Sequence, residues 1–175
     1  MRRNAGFTLI ELMTALALAG ILAGIAVPSF NELLERQRAS SAINALMAHM
    51  AQARMTAITY RRPAVLCPSS DGLSCVASTD WSGGWMVFLD RNGNRQRDDS
   101  DPVVRVDLQP TSRQLSVSST RGRPQLRYLP DGRSAGTNLT LSLCNKRYEL
   151  LGRVIVNNMG RPRSERPSTP VACPT

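Results

Sequence analysis

Residues 7–27 form an apolar run that contains one charged side chain, the carboxylate of Glu11. The run matches the roughly 20 residues that an α-helix needs to cross the hydrocarbon core of a bilayer. A carboxylate inside such a segment costs about 2.5–3.5 kcal/mol on insertion scales, so its presence indicates a function. A buried charge is tolerated when it is paired. The run therefore predicts a membrane helix in which Glu11 meets a positive partner.

The residues that open this run are Gly6-Phe7-Thr8-Leu9-Ile10-Glu11, and they follow a short leader with two arginines. This arrangement resembles the class III signal of type IV pilins and pseudopilins. The resemblance implies that prepilin peptidase cuts between Gly6 and Phe7, that Phe7 is then methylated, and that the apolar helix stays in the mature protein. It also implies that Glu11 neutralises the terminal ammonium of a neighbouring subunit in a filament.

Two other interpretations of this end remain open. An ordinary secretory signal would be cleaved after small residues, and Gly24-Ile25-Ala26 is a passable site for that cleavage. An acid inside the apolar region of such a signal would be unusual. A plain membrane anchor would leave the combination of Gly6, Phe7 and Glu11 unexplained.

Patterns along the rest of the chain predict an α+β protein, and the resemblance implies that its fold is pilin-like. A long amino-terminal helix, first transmembrane and then amphipathic, would pack on an antiparallel β-sheet globular domain. The expected divisions are a leader (1–6), a transmembrane helix (7–27), an amphipathic helix that continues it (28–59), a β-rich domain (60–159) and an Arg/Pro-rich carboxy-terminal loop (160–175). The predicted strands are Ala64–Cys67, Gly84–Asp90, Val103–Leu108, Gln114–Ser118, Gln125–Leu129, Leu139–Cys144 and Arg153–Asn157, and the expected core anchors are Trp81, Trp85 and Phe88.

Four cysteines in a chain that is exported past a membrane favour disulfides over free thiols. Three connectivities are possible. The short loop between Cys67 and Cys75 suits a local bridge, which would leave Cys144 to pair with Cys173. The alternative is a zinc site, but the chain has no Cys-x-x-Cys pair and only His49 as a histidine ligand.

Signals for catalysis or for other metals are weak. Residues 90–101 alternate acids and amides as a calcium loop does, but Gly93 is fourth rather than sixth and no glutamate closes the loop. A turn between strands is the better account. His49 has no nucleophile or acid beside it, and the sequence has neither a Gly-x-Ser-x-Gly elbow nor a phosphate-cradling glycine-rich loop. We predict that the protein is not an enzyme and uses no cofactor or metal.

The carboxy-terminal segment combines arginines with four prolines, which exclude a helix or a central strand. An extended, exposed segment of this kind suits phosphate, because each guanidinium can donate to two oxygens. The net charge of +9 is consistent with a polyanionic partner. A bridge between Cys144 and Cys173 would turn the segment into a tethered loop, which would lower the entropy lost on binding.

This segment has a resemblance of its own. The stretch from Trp85 through Phe88 and Asp90 to the following Asn-Gly turn is similar to the globular domain of the GspH/FimT family of minor pilins. Gly160-Arg161-Pro162-Arg163 is similar to the Gly-Arg-x-Arg motif with which the FimT branch of that family binds DNA in natural transformation. The resemblance implies that Arg161 and Arg163 contact DNA. Residues that we add to the predicted DNA-binding surface from proximity are Arg166, Arg153, Lys146 and Arg147.

These features together predict a minor type IV pilin. It would be held in the inner membrane by a single span, with its globular domain in the periplasm, and would later join an extracellular pilus. Its expected partners are other major and minor pilins, prepilin peptidase, the inner membrane and double-stranded DNA bound through phosphates without sequence specificity. One alternative is a structural minor pilin or type II secretion pseudopilin that primes filament assembly without binding DNA. The other is a membrane-anchored periplasmic enzyme or carbohydrate-binding module.

Overall fold

The computed structural model describes residues 8–108 and 114–174. One helix is followed by eight strands in two sheets. The elements are α1 Leu9–Tyr60, β1 Ala64–Pro68, β2 Gly84–Leu89, β3 Val103–Leu108, β4 Leu115–Ser119, β5 Leu126–Tyr128, β6 Leu139–Asn145, β7 Leu150–Val156 and β8 Pro162–Glu165. The chain forms two compact units that divide between Arg36 and Gln37.

The first unit contains the amino-terminal part of α1, and its apolar side chains are exposed. Leu9, Leu16 and Ile25 each leave more than half of their surface uncovered. By length and composition, α1 is long and apolar enough to cross a membrane. An apolar surface of this kind needs lipid or other protein around it, since water solvates it poorly.

The second unit holds two antiparallel four-stranded sheets, in the orders β3-β2-β1-β5 and β4-β6-β7-β8. The sequence predicted the antiparallel strands but only one sheet, because strand order depends on pairings between distant segments. Two differences concern the carboxy-terminal part. Strand β7 begins at Leu150 rather than at Arg153, and β8 was not predicted as a strand.

The core of the second unit lies between α1 and the sheets. Ile43, Leu46 and Met50 of the helix are fully buried against Trp81 and Trp85 and against apolar side chains of both sheets. Three- and four-residue spacing places these helix residues on one face, as the amphipathic pattern predicted.

Phe88 is also buried, but it does not belong to this core. It packs with Val65, Cys67 and Met86 in a separate cluster. Alternation along β2 explains the separation, because Phe88 points to the opposite face of the sheet from Trp85. Phe88 was predicted to share a core with Trp81 and Trp85, and that prediction was wrong.

Candidate nucleic-acid interface

The predicted Gly-Arg-x-Arg motif begins at a tight turn. Gly160 has φ +73°, and its N–H donates to the carbonyl of Asn157 at 2.9 Å. A Cβ on Gly160 would collide with the backbone oxygen of Gly132 and would lie 3.1 Å from Tyr128. Both the left-handed backbone and the close approach of the neighbouring loop require glycine here. Gly160 therefore has a structural role, since it directs the chain from β7 into β8.

The arginines that follow are carried by an edge strand. Strand β8 pairs with β7 in a register that places Val156 opposite Pro162, Ile155 opposite Arg163 and Arg153 opposite Glu165. Proline is tolerated at the first residue of an edge strand, where no ladder donor is needed. Since side chains alternate between faces, Arg153, Arg163 and Glu165 share the outer face, while Val156 is buried in the core.

Glu165 is the counter-charge of this outer face. Its Oε2 accepts from Arg153 Nε at 2.8 Å and from Arg153 Nη2 at 2.6 Å, and its Oε1 accepts from Arg163 Nε at 3.2 Å. The hydrogen bonds from Arg153, together with the charges of both arginines, hold the pKa of Glu165 below its usual value. Sequence reasoning placed the two arginines on the surface but missed the carboxylate between them, because the cross-strand pair depends on the β7–β8 register.

Arg161 and Arg166 flank β8 and are both exposed. Within residues 8–108 and 114–174, neither side chain finds a hydrogen-bond or ion-pair partner. Together with Arg153 and Arg163 they make four positive charges against one carboxylate, Glu165, which leaves a local charge of +3. We call these five residues the β7–β8 basic surface. An exposed surface with excess positive charge on a regular strand is suited to a row of phosphates.

The carboxy-terminal segment is tethered at its far end. The structure contains the disulfides Cys67–Cys75 and Cys144–Cys173, the same pairs that the spacing suggested, and no cysteine is left as a thiol for a zinc site. Next to the second bridge, Leu150 N donates to Val171 O at 2.8 Å. The segment is therefore anchored both by β8 and by the bridge, as expected of a tethered loop.

Lys146 and Arg147 lie on the turn between β6 and β7. This turn precedes β7, whereas Arg161 lies near the other end of β7, next to Pro162, which pairs with Val156. Seven residues of strand separate the two places, about 23 Å at 3.3 Å per residue. Arg147 Nε also donates to Glu149 Oε2 at 3.2 Å. The turn therefore extends the basic surface lengthwise and does not join it at the motif.

At the amino-terminal end, Gly6 and Phe7 lie outside the described residues. Thr8 and Glu11 form a capping box: Thr8 N and Oγ1 donate to Glu11 Oε2 at 3.0 and 2.9 Å, and Glu11 N donates to Thr8 Oγ1 at 3.3 Å. In a single subunit, the Glu11 carboxylate is therefore hydrogen-bonded to Thr8 at the start of its own helix. The Thr-x-x-Glu spacing was present in the sequence and could have identified this contact.

His49 is buried and has a packing role. Trp85 Nε1 donates to its Nδ1 at 2.6 Å, and Arg105 Nε lies 3.2 Å from its Nε2. A neutral imidazole accepts at one nitrogen only, so one of these two contacts is made at a time. Burial lowers the pKa of His49, and the charge of Asp107 opposes that shift. This environment favours the neutral imidazole.

The acidic stretch at residues 90–101 forms the connection between β2 and β3. Asp90, which is fully buried, accepts from Gly93 N at 2.8 Å. Asp101 accepts from Arg91 N at 2.8 Å. These carboxylates stabilise backbone turns. No group of three or more His, Cys, Asp or Glu side chains suited to a metal occurs in the described ranges.

Comparison with known proteins agrees with this architecture. Residues 42–160 match the family described as type II transport protein GspH, and residues 1–27 match the prokaryotic N-terminal methylation motif. The pilin-like protein PilA1 of Thermus thermophilus is 29% identical over 170 residues, which cover 91% of this chain and 97% of that protein.

Two solved structures share the fold. The minor pilin FimU of Pseudomonas aeruginosa superposes with a TM-score of 0.61 at 20% identity, covering 82% of this chain and 98% of that one. The minor pseudopilin EpsH of the type 2 secretion system of Vibrio cholerae gives 0.50 at 16% identity, covering 73% and 95%. The family match spans more than half of the sequence, and the chain therefore belongs to the GspH family of minor pilins and pseudopilins.

Proposed function

We propose that this chain is a minor type IV pilin that binds extracellular double-stranded DNA through the β7–β8 basic surface during natural transformation. The observation that carries the proposal is the exposure of Arg163 on the tethered edge strand β8, with Arg161 and Arg166 at its two ends, in a surface with a local charge of +3. Phosphate contacts do not depend on base sequence, so binding is non-specific. Retraction of the pilus would then draw DNA towards the cell.

Glu165 does not occupy the arginines fully. Arg163 uses only Nε in its bond to the carboxylate, which leaves both of its Nη groups free to donate. Arg153 uses Nε and one Nη group. A phosphate can therefore bind Arg163 without first breaking the existing pair.

The amino-terminal end supports the filament part of the proposal. We infer that prepilin peptidase cuts between Gly6 and Phe7, that the span of α1 holds the protein in the inner membrane, and that the processed chain then packs among other pilins. Glu11 would exchange its Thr8 partner for the terminal ammonium of a neighbour. The exchange would replace neutral donors with an opposite charge, which suits a carboxylate buried in apolar surroundings.

A second candidate function is a structural pseudopilin that primes filament assembly and binds no DNA. The fold match to EpsH, a pseudopilin of a secretion system, favours it, as does the neutralising effect of Glu165 on the arginine surface. The GspH family and its fold neighbours are structural proteins without enzymatic activity. The membrane-anchored enzyme therefore does not apply.

Gel-shift assays separate the two candidates. A soluble fragment that begins at Pro28 retains the whole second unit. The wild-type fragment should retard duplex DNA at low ionic strength, and Arg161→Ala with Arg163→Ala should abolish most of that shift. Arg121→Ala with Arg133→Ala removes the same charge from exposed positions elsewhere and should retain it. Equal loss in both double variants, or no shift by the wild type, would favour the structural pseudopilin.

A further inference from the structure

A second cluster of arginines surrounds a pocket on the other sheet. The pocket has a volume of about 320 Å³ and is lined by Arg95 from the β2–β3 connection, Arg123 from the turn before β5 and Arg127 from β5. This volume is at the lower end of the range for small-molecule sites. Arg121-Gly122-Arg123-Pro124 is a short basic stretch of the sequence, and only the fold brings Arg95 and Arg127 to it.

Arg123 is held in place without a counter-charge from the residues that the structure describes. Its Nη2 donates to the carbonyl of Ala135 at 3.0 Å, and a Cβ on Gly136, which has φ +85°, would collide with its guanidinium. Its Nε is buried and has no acceptor among the described residues. Burial lowers the pKa of Arg123. A buried donor without a partner costs free energy.

Asp90 forms an ion pair with Arg127. Its Oδ2 lies 3.6 Å from Arg127 Nε, which is beyond ordinary hydrogen-bond distance. The oxygens of Asp90 also accept from Gly93 N at 2.8 Å and from Arg95 N at 3.3 Å. Asp90 therefore offsets one positive charge while its oxygens are used by the backbone. Three arginines and one aspartate leave the pocket with a charge of +2.

The pocket continues into a neighbouring cavity. That cavity has a volume of about 540 Å³, shares Arg95, Pro124 and Gln125 with the first, and adds Arg97. Arg97 Nη1 is 3.9 Å from Asp99 Oδ1, and its Nε is buried without an acceptor in the part of the chain that the structure describes. A ligand seated between the arginines can therefore extend into a second, partly polar space.

We propose that this pocket binds a phosphomonoester, with the phosphoryl group between Arg95, Arg123 and Arg127 and the rest of the ligand in the neighbouring cavity. Guanidinium groups donate in pairs to phosphate oxygens, and Arg123 uses only Nη2 in its bond to Ala135. A charge of +2 matches the dianion of a phosphomonoester better than the single charge of a phosphodiester. The site is therefore distinct from the β7–β8 basic surface and does not depend on DNA binding.

Nuclear magnetic resonance of the arginine Nε–H groups tests this proposal on the full-length protein in an uncharged detergent. Inorganic phosphate and glycerol 3-phosphate serve as dianions, and dimethyl phosphate represents the diester of a DNA backbone. We expect saturable shifts of Arg123 and Arg127 with both dianions, and at least about 10-fold weaker binding of the diester. Arg123→Gln should weaken glycerol 3-phosphate binding about 10-fold or more, since a charge-assisted bidentate contact is lost.

Arg133→Gln is the matched control, because Arg133 is exposed on the loop after β5 and bonded to Asp131 rather than to the pocket. It should bind glycerol 3-phosphate as the wild type does. The proposal is overturned by unchanged Arg123 and Arg127 signals at saturating dianion, by equal losses in the two variants, or by a diester that binds as tightly as the monoester. Loss of DNA binding with intact monoester binding would refute the proposed function alone.

Discussion

The negative charge of Glu165 lowers the net positive charge of the β7–β8 basic surface. Replacing Glu165 with a neutral residue should therefore strengthen DNA binding. Glu165→Gln removes the one carboxylate that pairs with Arg153 and Arg163 and keeps a side chain of the same shape. The low pKa of Glu165 means that the wild-type carboxylate is ionised near neutral pH. The pairs are solvent-exposed, so their loss should have little effect on folding stability.

The magnitude follows from the charge count. The wild-type surface carries +3, and the variant carries +4. At roughly −0.9 per neutralised phosphate, the log–log dependence of affinity on salt should have a slope of about −2.7 for the wild type and about −3.6 for the variant. Between 50 and 200 mM salt, these slopes correspond to affinity losses of about 40-fold and about 150-fold.

Fluorescence anisotropy of a labelled duplex across a salt series measures both slopes on the soluble fragment. Asp99→Asn changes the net charge by the same amount on the exposed β2–β3 connection, and it should leave the slope at the wild-type value. A Glu165→Gln protein with wild-type affinity and slope would show that Arg153 and Arg163 do not meet phosphates, and the assignment of the surface would fail.

Three further predictions concern stability and tethering. Gly160→Ala should lower the free energy of unfolding by about 1–3 kcal/mol, which is more than Gly122→Ala should cost. Both glycines have positive φ, but only a Cβ at position 160 would meet backbone atoms. Equal losses of the two variants in urea denaturation would contradict the close contact with Gly132. Removing the Cys144–Cys173 bridge by serine substitution should lower the free energy of unfolding by about 3.5 kcal/mol and weaken DNA binding. Removing Cys67–Cys75 should lower it by about 2.5 kcal/mol and leave DNA binding intact. Unchanged DNA binding in both variants would show that the tether does not contribute to binding. Because burial lowers the pKa of the single histidine, the unfolded state takes up its proton first, so the free energy of unfolding should fall as pH drops below about 6.5. His49→Gln should flatten that dependence between pH 7.5 and 5.5, and a variant with the wild-type pH profile would exclude His49 as its source.

Local patterns were sufficient to predict most of the secondary structure. Helix spacing and strand alternation give α1 and seven of the strands, because the signals lie within each segment. Strand β8 has no such signal, since Pro162 and the charged residues after it do not alternate with apolar ones. It exists because β7 offers a free edge. The division into two sheets likewise follows from pairings that join distant segments, such as β1 with β5.

The two arginine sites differ in how much the sequence could reveal. The Gly160–Arg163 motif is contiguous, so its exposed arginines and its turn were predictable, while the effect of Glu165 required the strand register. The pocket around Arg123 combines side chains from three segments and a close contact with Gly136. Each of its arginines looks like an ordinary surface residue when the sequence is read alone.

Arginine footprinting tests the location of the DNA interface most directly. Phenylglyoxal modifies accessible guanidinium groups, and mass spectrometry of the soluble fragment reports the extent at each arginine. With saturating duplex DNA at low salt, Arg161, Arg163 and Arg166 should be protected, while the exposed Arg121 and Arg133 should react as they do without DNA. Protection of Arg121 and Arg133 in place of Arg161, Arg163 and Arg166, or no protection at any position, would contradict the proposed interface.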